Sequence, residues 1–427
     1  LSVAKMEDYR QWGTYNVHDP SCRKLGDYYY MYSTDAIFGE NRKEAEEKGV
    51  PLGYIQMRRS KDLVHWEFLG WAFPEIPEEA VQWVQTHADG KGATNIWAPY
   101  IIPYKDKYRL YYCVSAFGRK TSYIGLAESN SPEGPWTQIG SIVKTNDSIV
   151  MNAIDPSVIA DEITGKWWMH YGSFFGGIYI KELDAKTGLP LSGNAKELGI
   201  CISRKAKHPL IDGPEGASVI YVPNTGYFYL FQSYGWLGDT YDIRVGRSKS
   251  VTGPYLDWHG KSLVEEGMGL KLAGSYEFLT KNPRAGEEKT DWEWGGFRGP
   301  GHGVPFYDEQ SGKYYFVHHV RDGAEINRVY DEKEDRNSYQ VHYMMIRPMF
   351  FVNDWPAFGA EPYQGENFEP VSKTDMEKLE GNWELIVFDE FDNSMKRSEI
   401  CTLEKDSVYF QNGIIYQCQD IENQKEV

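Results

Sequence analysis

The sequence predicts an all-β protein, a five-bladed β-propeller followed by a small C-terminal β-domain. Two observations lead to this prediction: a strand pattern that recurs five times with a turn signal in each copy, and a high aromatic content. Aromatic residues are 15% of the 427 residues, with 31 Tyr and 14 Trp, and they favour pleated, half-buried surfaces. Repeated strands without a helical period are typical of propellers. A β-sandwich whose segments resemble each other by chance is the alternative.

Each repeat has a short strand, a turn with Gly or Asp, an aromatic strand and a third strand. The residues that lead the five repeats are Asp19, Ala98, Asp155, Glu215 and His302. Because the first strand of each propeller blade lines the central channel, three carboxyl groups and one histidine should converge there. Pro follows both Asp19 and Asp155, and this predicts extended backbone at each Asp.

The repeat pattern ends near residue 360. We therefore expect residues 1–362 to form the propeller and residues 363–427 a C-terminal β-domain, β-barrel-like and possibly incomplete, with strands at Leu379–Ile386 and Ser407–Phe410. Three insertions lengthen the blades: Phe38–Pro51, with a short helix, Pro74–Thr94, and Glu265–Gly299, with Trp292, Trp294 and Phe297. They either shape a groove over the channel mouth or are solvated loops.

Composition excludes some functions. The net charge of −17 argues against a nucleic-acid partner. The sequence contains no run of about 18 apolar residues, so we predict no membrane span. The chain begins with Leu, and we expect an exported monomer whose N-terminal signal has been removed. The five cysteines lack zinc-site spacing. Free buried thiols are expected, and a disulfide between Cys401 and Cys418 is the alternative.

The three carboxyl groups suit the hydrolysis of a glycosidic bond. That reaction needs an acid to protonate the leaving oxygen and a base to activate water. A third carboxylate raises the pKa of the acid by repulsion between like charges. Asp19, Asp155 and Glu215 supply these groups from three repeats. The alternative is that the three acids only cap turns.

The motifs around these residues resemble those of glycoside hydrolase family 43, whose members are five-bladed propeller enzymes. The resemblance covers roughly residues 10 to 360 and rests on V-H-D-P-S at 17–21, A-I-D-P-S-V at 153–158, G-P-E-G-A-S-V-I at 213–220 and G-H-G-V-P-F at 301–306. N-I-W-A-P-Y at 95–100 and Y-G-S-F-F-G-G-I at 171–178 are similar to motifs of the arabinanases in this family, which cut α-1,5-linked arabinan. Two-domain members carry a C-terminal β-barrel, which would match the tail.

The resemblance implies roles for the three acids: Asp19 as general base, Glu215 as general acid, and Asp155 as the carboxylate that tunes the pKa of the acid. It implies an inverting endo-arabinanase, with the two working carboxyl groups about 6.5–9.5 Å apart. The alternatives are an exo-acting α-L-arabinofuranosidase or β-xylosidase of the same family, and a carbohydrate-binding propeller without catalysis.

The sequence offers further candidate site residues, of which Trp97 and Phe117 follow from the same resemblance. Trp97 and Phe117 resemble sugar-stacking positions, with burial in the core as the alternative. Asp35 is a candidate hydrogen-bond partner of the sugar beside the cleaved bond, and Asn152 and Ser173 are weaker polar candidates.

His302 resembles the channel histidine that holds a metal ion, usually calcium. Waters would complete the shell, because calcium prefers oxygen ligands. A histidine that only forms hydrogen bonds is the alternative. Gly301 and Gly303 are expected to leave room beside the axis.

Overall fold

The computed structural model describes residues 6–35, 37, 40–194, 197–205, 211–281, 288, 293–322, 342–368, 379–404, 408–411 and 414–417. In this part of the chain five antiparallel sheets surround a central axis, which confirms the five-bladed propeller. The helices are short: a 3-10 helix at Met6–Gln11, α1 at Glu40–Glu47 and α2 at Glu78–His87. None of the described helices is long and apolar enough to cross a membrane.

Blades one to four each contain four strands in sequence order. Blade one comprises β1 (Val17–Leu25), β2 (Tyr28–Asp35), β3 (Tyr54–Ser60) and β4 (Glu67–Phe73). Blade two comprises β5 (Trp97–Tyr104), β6 (Lys107–Ser115), β7 (Ser122–Ser129) and β8 (Thr137–Thr145). Blade three comprises β9 (Ser157–Ala160), β10 (Trp167–Tyr171), β11 (Ile178–Leu183) and β12 (Ile200–Ser203). Blade four comprises β13 (Glu215–Val222), β14 (Tyr227–Tyr234), β15 (Asp242–Ser248) and β16 (Leu270–Ala273).

Blade five is longer than the others. It comprises β17 (Tyr276–Leu279), β18 (Trp294–Asp308), β19 (Lys313–Asp322), β20 (Tyr343–Val352) and β21 (Trp355–Phe358). The inner strands β1, β5, β9, β13 and β18 contact one another in sequence, and β18 returns to β1. The repeats in the sequence revealed three strands per blade. The structure adds one strand to each of blades one to four and two strands to blade five.

The ring closes without exchanging a strand between the first and last blades. The N–H of Val17 donates to the carbonyl of His342 (3.0 Å), and the N–H of Met344 donates to the carbonyl of Thr14 (2.8 Å). The Tyr29 hydroxyl donates to Asp308 Oδ2 at 2.9 Å. Blade one is therefore joined to blade five by backbone and side-chain hydrogen bonds.

The three insertions differ in structure. The first contains the expected short helix, α1, and the second forms α2, whose Ala80 and Val84 are buried. The expectation of a third insertion was wrong in part, because Glu265–Gly299 contains β16, β17 and the start of β18, where Trp294 and Phe297 lie. Gly295 and Gly296 hide the strand signal in the sequence. They are needed there because a Cβ at Gly296 would lie 2.1 Å from the Tyr276 carbonyl. Trp292 lies outside the described residues.

The C-terminal segment contains the strands expected near residues 379 and 407. They are β22 (Gly381–Leu385), β23 (Lys396–Arg397), β24 (Glu399–Leu403), β25 (Val408–Gln411) and β26 (Ile414–Gln417). β22 pairs with β24, β25 pairs with β26, and β23 adds to β17 in parallel. The domain boundary at residue 362 and the barrel-like form stay predictions.

The cysteines behave as small core residues in the part of the chain that the structure describes. Cys22 and Cys113 are buried, Cys201 and Cys401 are partly buried, and all four are free thiols. Cys418, and with it the alternative disulfide, lies outside the described residues.

Gly303 on inner strand β18 gives a test of the packing near the axis. A Cβ there would lie 2.1 Å from the Phe316 ring, and overpacking a core typically costs about 1–3 kcal/mol. We expect Gly303→Ala to lower the urea midpoint of unfolding accordingly. Gly193→Ala is the control, because a Cβ at Gly193 meets no atom within 4 Å. Equal midpoints for the two variants would contradict this account.

Candidate active site

A left-handed backbone position occurs at the same place in all five blades. The residues are Asp19 (φ 49°), Ala98 (φ 44°), Asp155 (φ 58°), Gly216 (φ 59°) and His302 (φ 44°). In blades one, two, four and five the pairing register shifts at this residue, as in a β-bulge. The prediction that the following Pro holds Asp19 and Asp155 extended was wrong, because the bulge sets their backbone.

This shared position corrects the alignment of the fourth repeat. Its left-handed residue is Gly216, so Glu215 stands one residue earlier than the other leading residues. By register, Glu215 corresponds to His18 in blade one and to Trp97 in blade two. The alignment by acidic residue missed this, because Gly216 carries no side chain to reveal its place.

The N–H at each left-handed position bonds to the preceding blade. The pairs are Asp19 N–H to His319 Nδ1 (3.0 Å), Ala98 N–H to Thr34 Oγ1 (2.8 Å), Asp155 N–H to the Cys113 sulfur, Gly216 N–H to Asp155 Oδ2 (3.1 Å) and His302 N–H to Ser233 Oγ (3.0 Å). In four pairs the acceptor is on the second strand of the preceding blade. In the remaining pair that place is held by Gly172, and the Asp155 carboxylate accepts instead.

The Asp19 carboxylate is buried and surrounded by donors. Thr34 Oγ1 donates to Oδ2 at 2.7 Å, His18 Nδ1 lies 2.8 Å from Oδ2, and His302 Nδ1 lies 3.1 Å from Oδ1. Burial alone raises the pKa of Asp19, but the charges and hydrogen bonds of His18 and His302 outweigh it and hold the pKa well below the usual value. Asp19 is therefore an ionised carboxylate at neutral pH.

Three histidines pack beside Asp19. The ring centroids of His18, His319 and His342 are 4.3–4.6 Å apart, and among the described residues they form the one group of three with metal-ligand geometry. However, His319 Nδ1 accepts the Asp19 N–H, so the proton of a neutral His319 is on Nε2, and that nitrogen has no lone pair for a metal ion. The cluster therefore supports Asp19 rather than offering a preformed metal site.

Glu215 receives two hydroxyl groups. Ser173 Oγ lies 2.7 Å from Oε2, and the Tyr241 hydroxyl lies 2.8 Å from Oε1. Burial raises the pKa of Glu215, the two hydroxyls oppose that rise, and the negative charge of Asp19 adds to it. Because hydroxyls accept as well as donate, this environment also accommodates a protonated Glu215.

Asp155 shares the histidine that contacts Asp19. His302 Nδ1 lies 4.0 Å from Asp155 Oδ2. Burial, opposed by His302 and assisted by repulsion from Glu215 and Asp19, raises the pKa of Asp155 to about 7. Burial lowers the pKa of His302, but Asp19 and Asp155 raise it to about 9 overall. The Gly216 N–H can only donate, which favours an ionised Asp155, whereas the two hydroxyls at Glu215 can also accept from a protonated carboxyl group. We therefore place the proton of this pair on Glu215.

Two predicted stacking residues line this face of the propeller. Trp97 is half-buried, and its place on the inner strand of blade two is equivalent to that of Glu215 in blade four. Phe117 is 76% exposed in the connection between β6 and β7.

Asp35 and Asn152 are buried, and each accepts hydrogen bonds from other protein groups. The Asp35 carboxylate accepts from the Ile37 N–H, Gln56 Nε2 and Trp71 Nε1. Asn152 Oδ1 accepts from the Ser122 hydroxyl. These contacts occupy the Asp35 oxygens and support a structural role for it, so its contact with a sugar stays a prediction without support from this geometry.

Sequence reasoning missed Tyr241, Thr34 and the histidine cluster. Tyr241 has no motif of its own, although the G-H-G motif contains an indirect signal. A Cβ at Gly301 would lie 1.9 Å from the Tyr241 ring, and one at Gly303 would lie 2.1 Å from Phe316. The two glycines therefore make room for aromatic rings, which is a more specific role than open space at the axis.

A five-bladed propeller whose axis carries two buried aspartates and one half-buried glutamate, Asp19, Asp155 and Glu215, has the carboxyl groups that a hydrolytic enzyme needs. The model of the glycosyl hydrolases family 43 matches residues 13–356. This chain therefore belongs to glycosyl hydrolase family 43.

Two relatives and one solved structure show how similar this chain is to individual proteins. An extracellular endo-α-(1→5)-L-arabinanase of Thermotoga petrophila is 33% identical over 407 residues, covering 87% of this chain and 75% of the relative. An extracellular exo-α-(1→5)-L-arabinofuranosidase of Cellvibrio japonicus is 33% identical over 279 residues, covering 62% of this chain and 73% of that relative. The crystal structure of an endo-1,5-α-L-arabinanase from T. petrophila superposes with a TM-score of 0.72 at 30% identity, covering 96% of this chain and 86% of the other.

Tyr241→Phe tests the hydroxyl at Glu215. Removing a donor that stabilises the carboxylate lets Glu215 keep its proton to higher pH. We expect the alkaline limb of the pH profile of kcat/KM for glycoside hydrolysis to move up by about one pH unit, since a hydrogen bond to a charged group is worth about 1.5–3 kcal/mol. Tyr221→Phe, on the same strand as Glu215, is the control. A profile for Tyr241→Phe that matches the wild type would show that the hydroxyl does not act on the titrating group.

Proposed function

We propose that this protein is an inverting endo-1,5-α-L-arabinanase. The observation that carries the proposal is the contrast between Asp19, held ionised by His18 and His302, and Glu215, whose surroundings favour the protonated form. A glycosidase needs one carboxyl group of each kind. The relatives named as arabinanases support arabinan as the substrate.

The proposed reaction uses these residues in one step. The acid form of Glu215 donates its proton to the glycosidic oxygen while the bond from that oxygen to the anomeric carbon breaks. Asp19 accepts a proton from the water that attacks the anomeric carbon from the opposite face. The product has inverted anomeric configuration, and proton exchange with solvent restores both carboxyl groups. Asp155 and His302 set the charge around the pair.

An exo-acting enzyme is the second candidate, because the chain is similar to an exo-α-(1→5)-L-arabinofuranosidase as well. Chromatography of the earliest products from linear arabinan separates the two modes. We expect a mixture of oligosaccharides from the endo mode. Monosaccharide alone from the first time point would favour the exo mode, and no turnover at all would favour a binding propeller.

The catalytic roles are tested by isosteric variants. We expect Glu215→Gln and Asp19→Asn each to lower kcat on linear arabinan by about 10²–10⁴-fold or more, because each removes a proton-transfer group. Glu162→Gln, at an exposed position, is the matched control. Proton NMR of the first product should show the inverted anomer. Near wild-type rates for Glu215→Gln, or retained configuration, would contradict the assignment.

We also propose that His302 holds a calcium ion. Its Nδ1 faces Asp19 and keeps its proton there. Without an ion, the raised pKa keeps the ring protonated at neutral pH, and calcium would displace the proton on Nε2 when it binds. The other ligands would be waters, because among the described residues no cluster of three ligating groups includes His302. A bound cation would help to balance the negative charges of Asp19 and Asp155.

The metal proposal predicts that dialysis against a chelator lowers activity and the thermal midpoint, and that calcium restores both. Metal analysis should find bound calcium in the wild type and little in His302→Ala. His65→Ala is the control, because the His65 side chain is 86% exposed. Equal calcium content in wild type and His302→Ala would overturn the assignment.

We propose further that the protein is exported and monomeric. Relatives are named as extracellular enzymes, which supports export. Sedimentation of the purified chain tests the monomer.

A further inference from the structure

Four large apolar side chains stand exposed on the face that carries the carboxyl groups. We call Phe117, Val150, Phe175 and Trp236 the apolar rim, and they are 76%, 59%, 54% and 53% exposed. Single exposed apolar residues are ordinary, but a cluster of them marks an interaction site.

The rim residues belong to neighbouring connections between strands. Phe117, Phe175 and Trp236 lie in the connections between the second and third strands of blades two, three and four. Val150 lies between β8 and β9, and its carbonyl is so near Gly176 that a Cβ there would approach it to 2.9 Å. The rings of Phe117 and Trp236 meet edge to face, with centroids 6.5 Å apart. The four side chains therefore form one surface over blade three.

Hydrogen bonds hold the backbone under the rim. Trp236 N–H donates to Thr240 Oγ1 at 2.9 Å, and Thr240 N–H donates back to the Trp236 carbonyl at 3.0 Å. Phe174 N–H donates to the Pro214 carbonyl at 2.8 Å. Phe175 has a left-handed φ of 35°, a strained conformation of the kind found at ligand-binding sites. The backbone that carries the rings is therefore held in place.

The rim adjoins the proposed acid. Ser173, two residues before Phe175, and Tyr241, five residues after Trp236, both bond to Glu215. Because Glu215 would protonate the leaving oxygen, the sugar units on the leaving-group side lie nearest these two connections. Lys120 Nζ, 6.0 Å from the centre of the Phe175 ring, adds a donor for sugar hydroxyls beside the apolar surface.

We propose that the apolar rim binds the leaving-group side of an arabinan chain, with Trp236 as a residue that determines preference for long chains. The proposal rests on the proposed function. Aromatic rings offer apolar faces on which sugar rings stack at little entropic expense, since a ring has only two side-chain torsions. Units far from the cleaved bond then contribute affinity that short substrates cannot obtain.

The test compares kcat/KM for linear arabino-oligosaccharides from trimer to octamer. We expect Trp236→Ala to lower kcat/KM for the longest substrates by roughly threefold to tenfold, the range for one aromatic contact, and to lower it less for the trimer. Trp236→Phe keeps a ring and should restore most of the loss. Trp258→Ala is the matched control, because Trp258 is 52% exposed and packs against Trp355 elsewhere on the molecule.

The outcomes separate this proposal from the proposed function. A wild type that does not cut arabinan defeats the function itself. A wild type that cuts arabinan while Trp236→Ala keeps its preference for long chains defeats only the rim. A loss of the same size at every length would place the effect on Tyr241 and Glu215 instead, and would overturn the platform. Self-association that disappears in Trp236→Ala would show a protein interface and would overturn it as well.

Discussion

The hydrogen bond from each left-handed residue to the preceding blade is the constraint on which the centre of this propeller depends. A left-handed conformation costs a residue with a side chain roughly 1–2 kcal/mol, and four of the five residues have one. The conformation persists because the bulge turns each N–H toward an acceptor on the preceding blade. Each blade therefore fixes the first residue of the next. The carboxyl groups are held by the ring as a whole, rather than by their own strands.

The same hydrogen bonds help to determine which of the three acids carries a proton. Second-strand residues accept the N–H in four places, but Gly172 leaves one place without a side chain, and the Asp155 carboxylate accepts there. That bond and His302 favour a charged Asp155. Asp19 is charged because His18 and His302 face it. Two negative charges in a buried site oppose a third, so the proton remains with Glu215, whose hydroxyl partners suit either form. The hydrogen bond from Gly216 to Asp155, which joins blades three and four, thus helps to keep the proposed acid protonated.

The sequence is sufficient for the blades and for the three acids, because both depend on local signals. A turn followed by an aromatic strand can be recognised from a short stretch of sequence, and Asp-Pro and Pro-Glu-Gly lie at or near the starts of inner strands. Contacts between segments that are distant in the sequence cannot be predicted from such local signals. Tyr241 reaches Glu215 across 26 residues, and His319 reaches Asp19 across 300. The register of Glu215 was misjudged because a bulge, rather than the spacing of acids, sets it. Asp35 follows an aromatic strand as a site residue would, yet its partners Gln56 and Trp71 come from outer strands of blade one and hold it inside.

The C-terminal segment contacts the connection that carries Tyr241. Asn393 Nδ2 donates to the carbonyl of Thr240 at 3.0 Å, and its Oδ1 accepts from Arg244 (3.2 Å) and Lys271 (3.3 Å). Both cations also pair with buried Asp242. Thr240 precedes Tyr241 and is bonded to the backbone of Trp236, so one amide from the tail fixes the connection that carries both side chains. An apolar residue at 393 would leave the Thr240 carbonyl without this donor and would loosen the connection. The tail therefore supports Glu215 indirectly, through the connection that carries Tyr241.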